Sequence, residues 1–112
     1  MKLSDLQPRW LDLDGRRVGL LFQCPHCQGF WLTCFFEKLP MHEQMRAWSR
    51  ATGHPLDEDG WPDGPEGARV SFCHPNAQWQ ATGDLNDLTI MPSIDASAAG
   101  HWHGFIRAGM MT

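Results

Sequence analysis

Val18-Gly-Leu-Leu-Phe-Gln-Cys-Pro-His-Cys-Gln-Gly-Phe-Trp-Leu-Thr-Cys-Phe-Phe36 is the stretch on which the reading of this chain turns. Residues 18–23 form one short apolar run and residues 30–36 another, with Cys24-Pro25-His26-Cys27 and Gly29 between them. Two strand-length apolar runs around a tight turn predict a β-hairpin. A C-x-x-C turn in that setting lets two thiolates converge on one tetrahedral ion, which makes the hairpin zinc-ribbon-like. Two other readings compete with zinc. A thioredoxin-like redox pair also has the form C-P-x-C, but there the first cysteine opens a helix, whereas Gly29 and Phe30-Trp31-Leu32 point to a strand. The third reading is a pair of unliganded cysteines in the core.

Working outward, residues 1–17 read as an irregular N-terminal arm, anchored by Leu3, Leu6, Trp10, Leu11 and Leu13 and turning at Asp14-Gly15. On the other side, Pro40 fits the first turn of a helix, along which Met41, Met45 and Trp48 share one face. Gly53 closes that helix. The Met/Trp stripe reads as core packing, not as a cofactor site. Residues 53–68 form an acidic Gly/Pro loop, long for a small domain. Short strands are expected over 69–72, 78–82, 88–91 and 102–107, with turns at Gly83-Asp84 and Gly109. The fold class is therefore α+β: one domain over residues 1–112, mainly antiparallel sheet, with one helix.

Composition explains why such a chain would want a metal. Eleven Leu stand beside three Ile, two Val, six Trp, six Phe and six Met in 112 residues, so the aliphatic core is thin. Domains of this size often add a metal or disulfide. No apolar run approaches the roughly 18 residues that span a bilayer. Met1–Trp10, with Asp5 and Pro8, lacks a signal peptide's apolar stretch, so the expected location is the cytoplasm, where thiols stay reduced. Net charge is −4, and Asp57, Glu58, Asp59, Asp63 and Glu66 concentrate five acids in one stretch. With no basic block, neither bulk nucleic-acid binding nor attachment to an anionic membrane is expected.

The C-x-x-C turn supplies half a metal site. Its complement is His101-Trp102-His103, because residues two apart on a strand face the same side, about 6.5–7 Å apart. The expected ligands are Cys24, Cys27, His101 and His103, with zinc as the ion. Cys73-His74 is the rival second half, but adjacent strand residues face opposite ways. Cys34, among Trp31, Phe35 and Phe36, reads as a small core residue. His42-Glu43 lacks the second histidine of a zincin, since Arg46 stands there. The zinc-deaminase pattern and the phosphate-cradling glycine loop are also missing from the sequence.

Three further runs occur in order: Trp79-Gln-Ala-Thr-Gly-Asp84, Leu88-Thr-Ile-Met-Pro-Ser-Ile94, and His101-Trp-His-Gly-Phe-Ile106 with Gly109. Together with Leu6-Gln-Pro-Arg-Trp10 and Phe22-Gln-Cys-Pro-His-Cys27, they resemble an uncharacterised family of small phage and prophage proteins. Relatives also occur near bacterial ubiquitin-like conjugation genes. The resemblance covers both ends of the chain and leaves residues 37–68 unaligned. It matches Cys24 and Cys27 to the family's cysteine turn and His103 to its Trp-His-Gly histidine. The family's next cysteine falls at Gly100, and His101 is the neighbour able to replace it.

Two function classes follow. One is a non-catalytic zinc-binding module of phage or prophage origin, acting on a host or phage protein in the host cytoplasm, with Trp61 in the acidic loop as the candidate contact. The other is a peptidase-like zinc hydrolase with an open fourth coordination position, Ser93 or Asp95 standing nearby. Both predict about one zinc per chain; metal analysis of untagged protein with intact thiols checks this, and a metal-free result contradicts it.

Overall fold

The computed structural model describes residues 1–27, 29–64, 69–97 and 100–112. Leu11 and Leu13 bury on one side of β1 (Arg9–Leu13), while Trp10 packs on the other. Asp14 and Gly15 have positive φ values of 51° and 83° and lead into β2 (Arg16–Gln23). A left-handed pair of this kind suits the twist of a two-residue hairpin. The pairing runs from Leu13 opposite Arg16 to Arg9 opposite Leu21. Residues 1–17 are thus not the irregular arm expected: they hold a 3-10 turn over Leu3–Leu6 and an edge strand. The two alternating leucines of β1 are too short a pattern to stand out, and its partner strand supplies the order.

β3 (Trp31–Phe35) pairs antiparallel with β2, so the expected hairpin forms, and β4 (Val70–Ser71) adds a parallel edge. A second four-stranded sheet runs in sequence order through β5 (Gln80–Thr82), β6 (Thr89–Asp95), β7 (His103–Arg107) and β8 (Met110–Met111). Its pairings are all antiparallel. β6 extends beyond the expected end at Met91. Pro92 lies where the β6–β7 register shifts between Ile90 and Ile94, an irregularity that tolerates a residue without an N–H. The helix, α1 (Met41–Thr52), starts after Pro40 and ends at Gly53, whose left-handed backbone sends its N–H to Ser49 O at 2.8 Å.

The elements stack in three layers. Leu20, Phe22, Leu32 and Cys34 from the first sheet meet Ile90, Ile94, Ile106 and Trp102 from the second. On the opposite face of the first sheet, Leu11, Leu13, Val18, Leu21 and Phe35 meet Ala47 and Trp48 of α1. A strand buried on both faces needs apolar residues at successive positions, which is why residues 18–22 show no alternation. β7 covers the core on one face only, and its burial alternates. Cys34 is fully buried, as a small core residue should be. Among the described residues no helix is long and apolar enough to cross a membrane. The acidic loop is described through Gly64; its Glu66 lies outside the described residues.

One polar side chain ties α1 to the segment after β4. Gln44 is 1% exposed. Its Nε2 donates to Leu39 O and Cys73 O, each at 3.0 Å, and its Oε1 accepts the Cys73 N–H at 2.9 Å. Replacing Gln44 by Leu strands backbone groups that burial keeps from water, at about 1–3 kcal/mol each for those left unpaired. Gln44→Leu should therefore lower the thermal midpoint clearly, whereas Gln78→Leu at the exposed Gln78 should not; equal melting of the two variants would contradict this assignment.

Candidate metal centre

β2 delivers the chain into the cysteine turn at Cys24, whose N–H donates to Phe30 O at 2.8 Å. Inside that closure the Cys27 N–H donates to Cys24 O at 3.3 Å and the Phe30 N–H to Cys27 O at 3.2 Å. Gly29, with φ 85°, permits the sharp return into β3. Cys24 is fully buried and Cys27 half-buried, and neither is in a disulfide. The Cys27 thiol is pushed up from its ordinary pKa, first by burial and then by the neighbouring Cys24. Two thiolates side by side repel; a divalent cation between them reverses that balance and holds both deprotonated.

His101 arrives from the other sheet. After β6 the chain folds back, with the His101 N–H donating to Ala96 O and the Ala96 N–H to Trp102 O, both at 3.0 Å. Gly100, with φ 79°, donates its N–H to Ser97 O in the same turn. The imidazole lies flat on Phe30, ring centroids 3.7 Å apart and planes 15° from parallel. One ligand atom from each of Cys24, Cys27 and His101 lies within 4.8 Å of the others. Thiolates on a tetrahedral zinc at about 2.3 Å stand about 3.8 Å apart, so small side-chain movements close the cluster on an ion. Among the described residues, the buried His101 Nδ1 has no hydrogen-bond partner. A buried polar nitrogen without a partner is costly, and metal ligation gives the ring a role that its surroundings otherwise lack. The donor set, two thiols and one imidazole, suits zinc among common divalent ions.

His103 is not brought into this group. It opens β7 with its side chain exposed, opposite Asp95. The expectation that His101 and His103 share a strand face fails because His101 precedes the strand, where the turn at Gly100 replaces period-two alternation. In the Trp-His-Gly run the flanking residues carry the packing. Trp102 is 5% exposed and meets Phe22 edge-on, ring centroids 6.0 Å apart. A Cβ on Gly104 would stand 2.1 Å from Thr112 O and 2.6 Å from the Trp102 ring. Only glycine leaves room there.

The other candidates sit elsewhere. Cys73 Sγ donates to Thr33 O at 3.0 Å, and burial raises its pKa to about 11, which removes it from thiolate chemistry near neutral pH. His74 Nδ1 accepts the Asn76 N–H in a local turn. Ser93 O accepts from Trp79 Nε1, a strand role for that residue's backbone. Asp95 is held below its usual carboxylate range chiefly by the Ser97 hydroxyl and backbone N–H. The aromatic lid Phe30 escaped sequence reasoning, since only the three-dimensional closure places it over His101. Comparison with protein-family models, curated proteins and solved structures yields no match.

The geometry separates the two histidines experimentally. His101→Ala should weaken zinc retention against a competing chelator by more than the roughly 10–100-fold that loss of an outer partner costs. His103→Ala should leave it unchanged. Equal loss in both variants would return His103 to the ligand set.

Proposed function

We propose that this chain is a zinc-stapled protein-interaction module in which the metal is structural. The observation that carries this reading is the origin of the donors: Cys24 and Cys27 flank the β2–β3 turn of one sheet, and His101 belongs to the β6–β7 connection of the other. An ion held by all three cross-links the sheets at one end of their shared core. Structural zinc supplies an apparent ~10–16 kcal/mol, against a total domain stability of ~5–15 kcal/mol. That magnitude makes the ion a determinant of folding for a chain with a thin aliphatic core.

The contact surface of this module is the tip of the acidic loop. Asp57 Oδ1 accepts the N–H groups of Asp59 and Trp61, and Leu56 bridges to Pro62. The turn therefore has a fixed shape while Trp61 is 56% exposed, with Asp57, Glu58, Asp59 and Asp63 around it. A preorganised tryptophan loses little entropy on docking and is a frequent interface anchor. Its complement is an apolar socket with a basic rim on a host or phage protein in the host cytoplasm. The motif resemblance to small phage and prophage proteins supports that setting.

One observation favours a second reading, a zinc hydrolase: three donors leave a fourth position for water. Against it, four surface cavities of about 190–450 Å³ are lined by described residues other than Cys24, Cys27 and His101. The test follows metal, melting and binding together. Chelation should unfold the wild type or lower its melting temperature steeply. Trp61→Ala should keep zinc and melting temperature yet lose a partner that the wild type captures from host extract. Hydrolysis of peptide or ester substrates by the zinc-loaded protein, abolished by chelation while the chain stays folded, would replace the module with the enzyme.

A further inference from the structure

On the helix side of the first sheet, with Gly29 of the cysteine turn in its wall, lies a cavity of about 450 Å³. Arg9 at the start of β1, Trp31 at the start of β3, Trp48 of α1, Gly53 and His54 after it, and Arg69 ahead of β4 all contribute to its wall. The chain carries 13 acidic residues and a net charge of −4, yet no described lining residue is an acid. Neither guanidinium is in an ion pair among the described residues. Arg9 donates one N–H to Ala51 O at 3.2 Å, in the last turn of α1. That contact offsets the negative end of the helix dipole, which would otherwise oppose an anion here. A guanidinium has five N–H donors, and among the described residues Arg9 uses one of them in a side-chain hydrogen bond and Arg69 none.

The cavity also has a neutral donor and flat walls. Trp48 is 3% exposed, and its buried Nε1 has no acceptor among the described residues. Trp31 is half-buried beside it. His54 is already engaged: its Nε2 contacts Asp63 O, and its ring stands 4.9 Å from that of Trp48. Arginine forks match the paired oxygens of carboxylates and phosphates, and indole faces accept planar apolar groups.

From this arrangement we propose that the cavity is a binding site for a small oxyanion ligand, a carboxylate or phosphate monoester borne on a planar apolar body. The two arginines bind the anionic head, and the tryptophan walls take the body. None of its residues is a candidate metal ligand, and because Gly29 of the cysteine turn lines it, the test keeps the metal bound throughout. Carboxylates and phosphates share the recognition chemistry, and the probes of the test tell them apart.

The experiment titrates the metal-loaded full chain with phenyl phosphate, benzoate and inorganic phosphate, following backbone and indole N–H signals by NMR. Saturable shifts at the Trp48 indole with phenyl phosphate or benzoate are expected, and the tighter of the two identifies the anion. Inorganic phosphate should bind at least about tenfold more weakly, a difference of about 1.4 kcal/mol. Arg9→Gln and Arg69→Gln alter exposed side chains, so the fold should survive, and the double variant should bind at least about tenfold more weakly than wild type. Trp48→Phe, which keeps an aromatic wall and removes the N–H, should weaken binding without abolishing it. Absence of saturable shifts with both aromatic probes, or equal affinity in the double arginine variant, would overturn the proposal. Inorganic phosphate binding as tightly as phenyl phosphate would overturn the role of the planar body.

Discussion

The convergence of Cys24 and Cys27 from one sheet with His101 from the other is the joint on which this structure depends. Each side has its own local order: the cysteine turn is closed by Cys24–Phe30 hydrogen bonding, and the His101 turn by bonds between Ala96 and residues 101 and 102. The Phe30–His101 stack meets the joint but gives only what one aromatic contact gives. A cation would add charge-based attraction between two thiols that otherwise resist deprotonation side by side and a ring nitrogen without a partner among the described residues. A metal ion would therefore complete a geometry already set by backbone hydrogen bonds.

The layer order divides the surface into regions with different capacities. The first sheet is covered on both faces, so its chemistry is confined to its ends: the cysteine turn at one set of loops and the arginine-lined cavity beside α1. The second sheet leaves one face open, where Met91 and Phe105 are exposed and Arg107 lies 4.3 Å over the Phe105 ring. The acidic loop carries most of the concentrated negative charge, with Trp61 exposed at its tip. The arginine-lined cavity touches both of its neighbours, since Gly29 of the cysteine turn and residues 53–55 at the start of the acidic loop line it.

Some of this was legible in the residues alone. The hairpin was, because two apolar runs bracket a cysteine turn with a glycine exit. The helix limits were, because Pro40 and Gly53 act through backbone chemistry that no tertiary contact needs to supply. β1 was hidden, since Trp10, Leu11 and Leu13 serve two different cores and resemble scattered anchors. β6 looked as if it ended before Pro92, because the bulge that accommodates a proline is a property of the pair of strands. The separation of His101 from His103 is hidden for a related reason: strand alternation does not extend across Gly100, where a positive φ turns the chain, and among the described residues His101 is the histidine that lies with the cysteines. The arginine cavity had no sequence signature at all, its walls being drawn from residues 9 to 69 by packing.

X-ray absorption at the zinc edge of the loaded protein tests the central claim most directly, because it counts ligands by atom type and distance. Two sulfurs at about 2.3 Å and one imidazole nitrogen at about 2.0–2.1 Å are expected, with one further light-atom donor. His101→Ala should remove the imidazole signature, and His103→Ala should retain it. A first shell without sulfur, or one whose imidazole signature survives His101→Ala and vanishes in His103→Ala, would contradict the joint between the sheets.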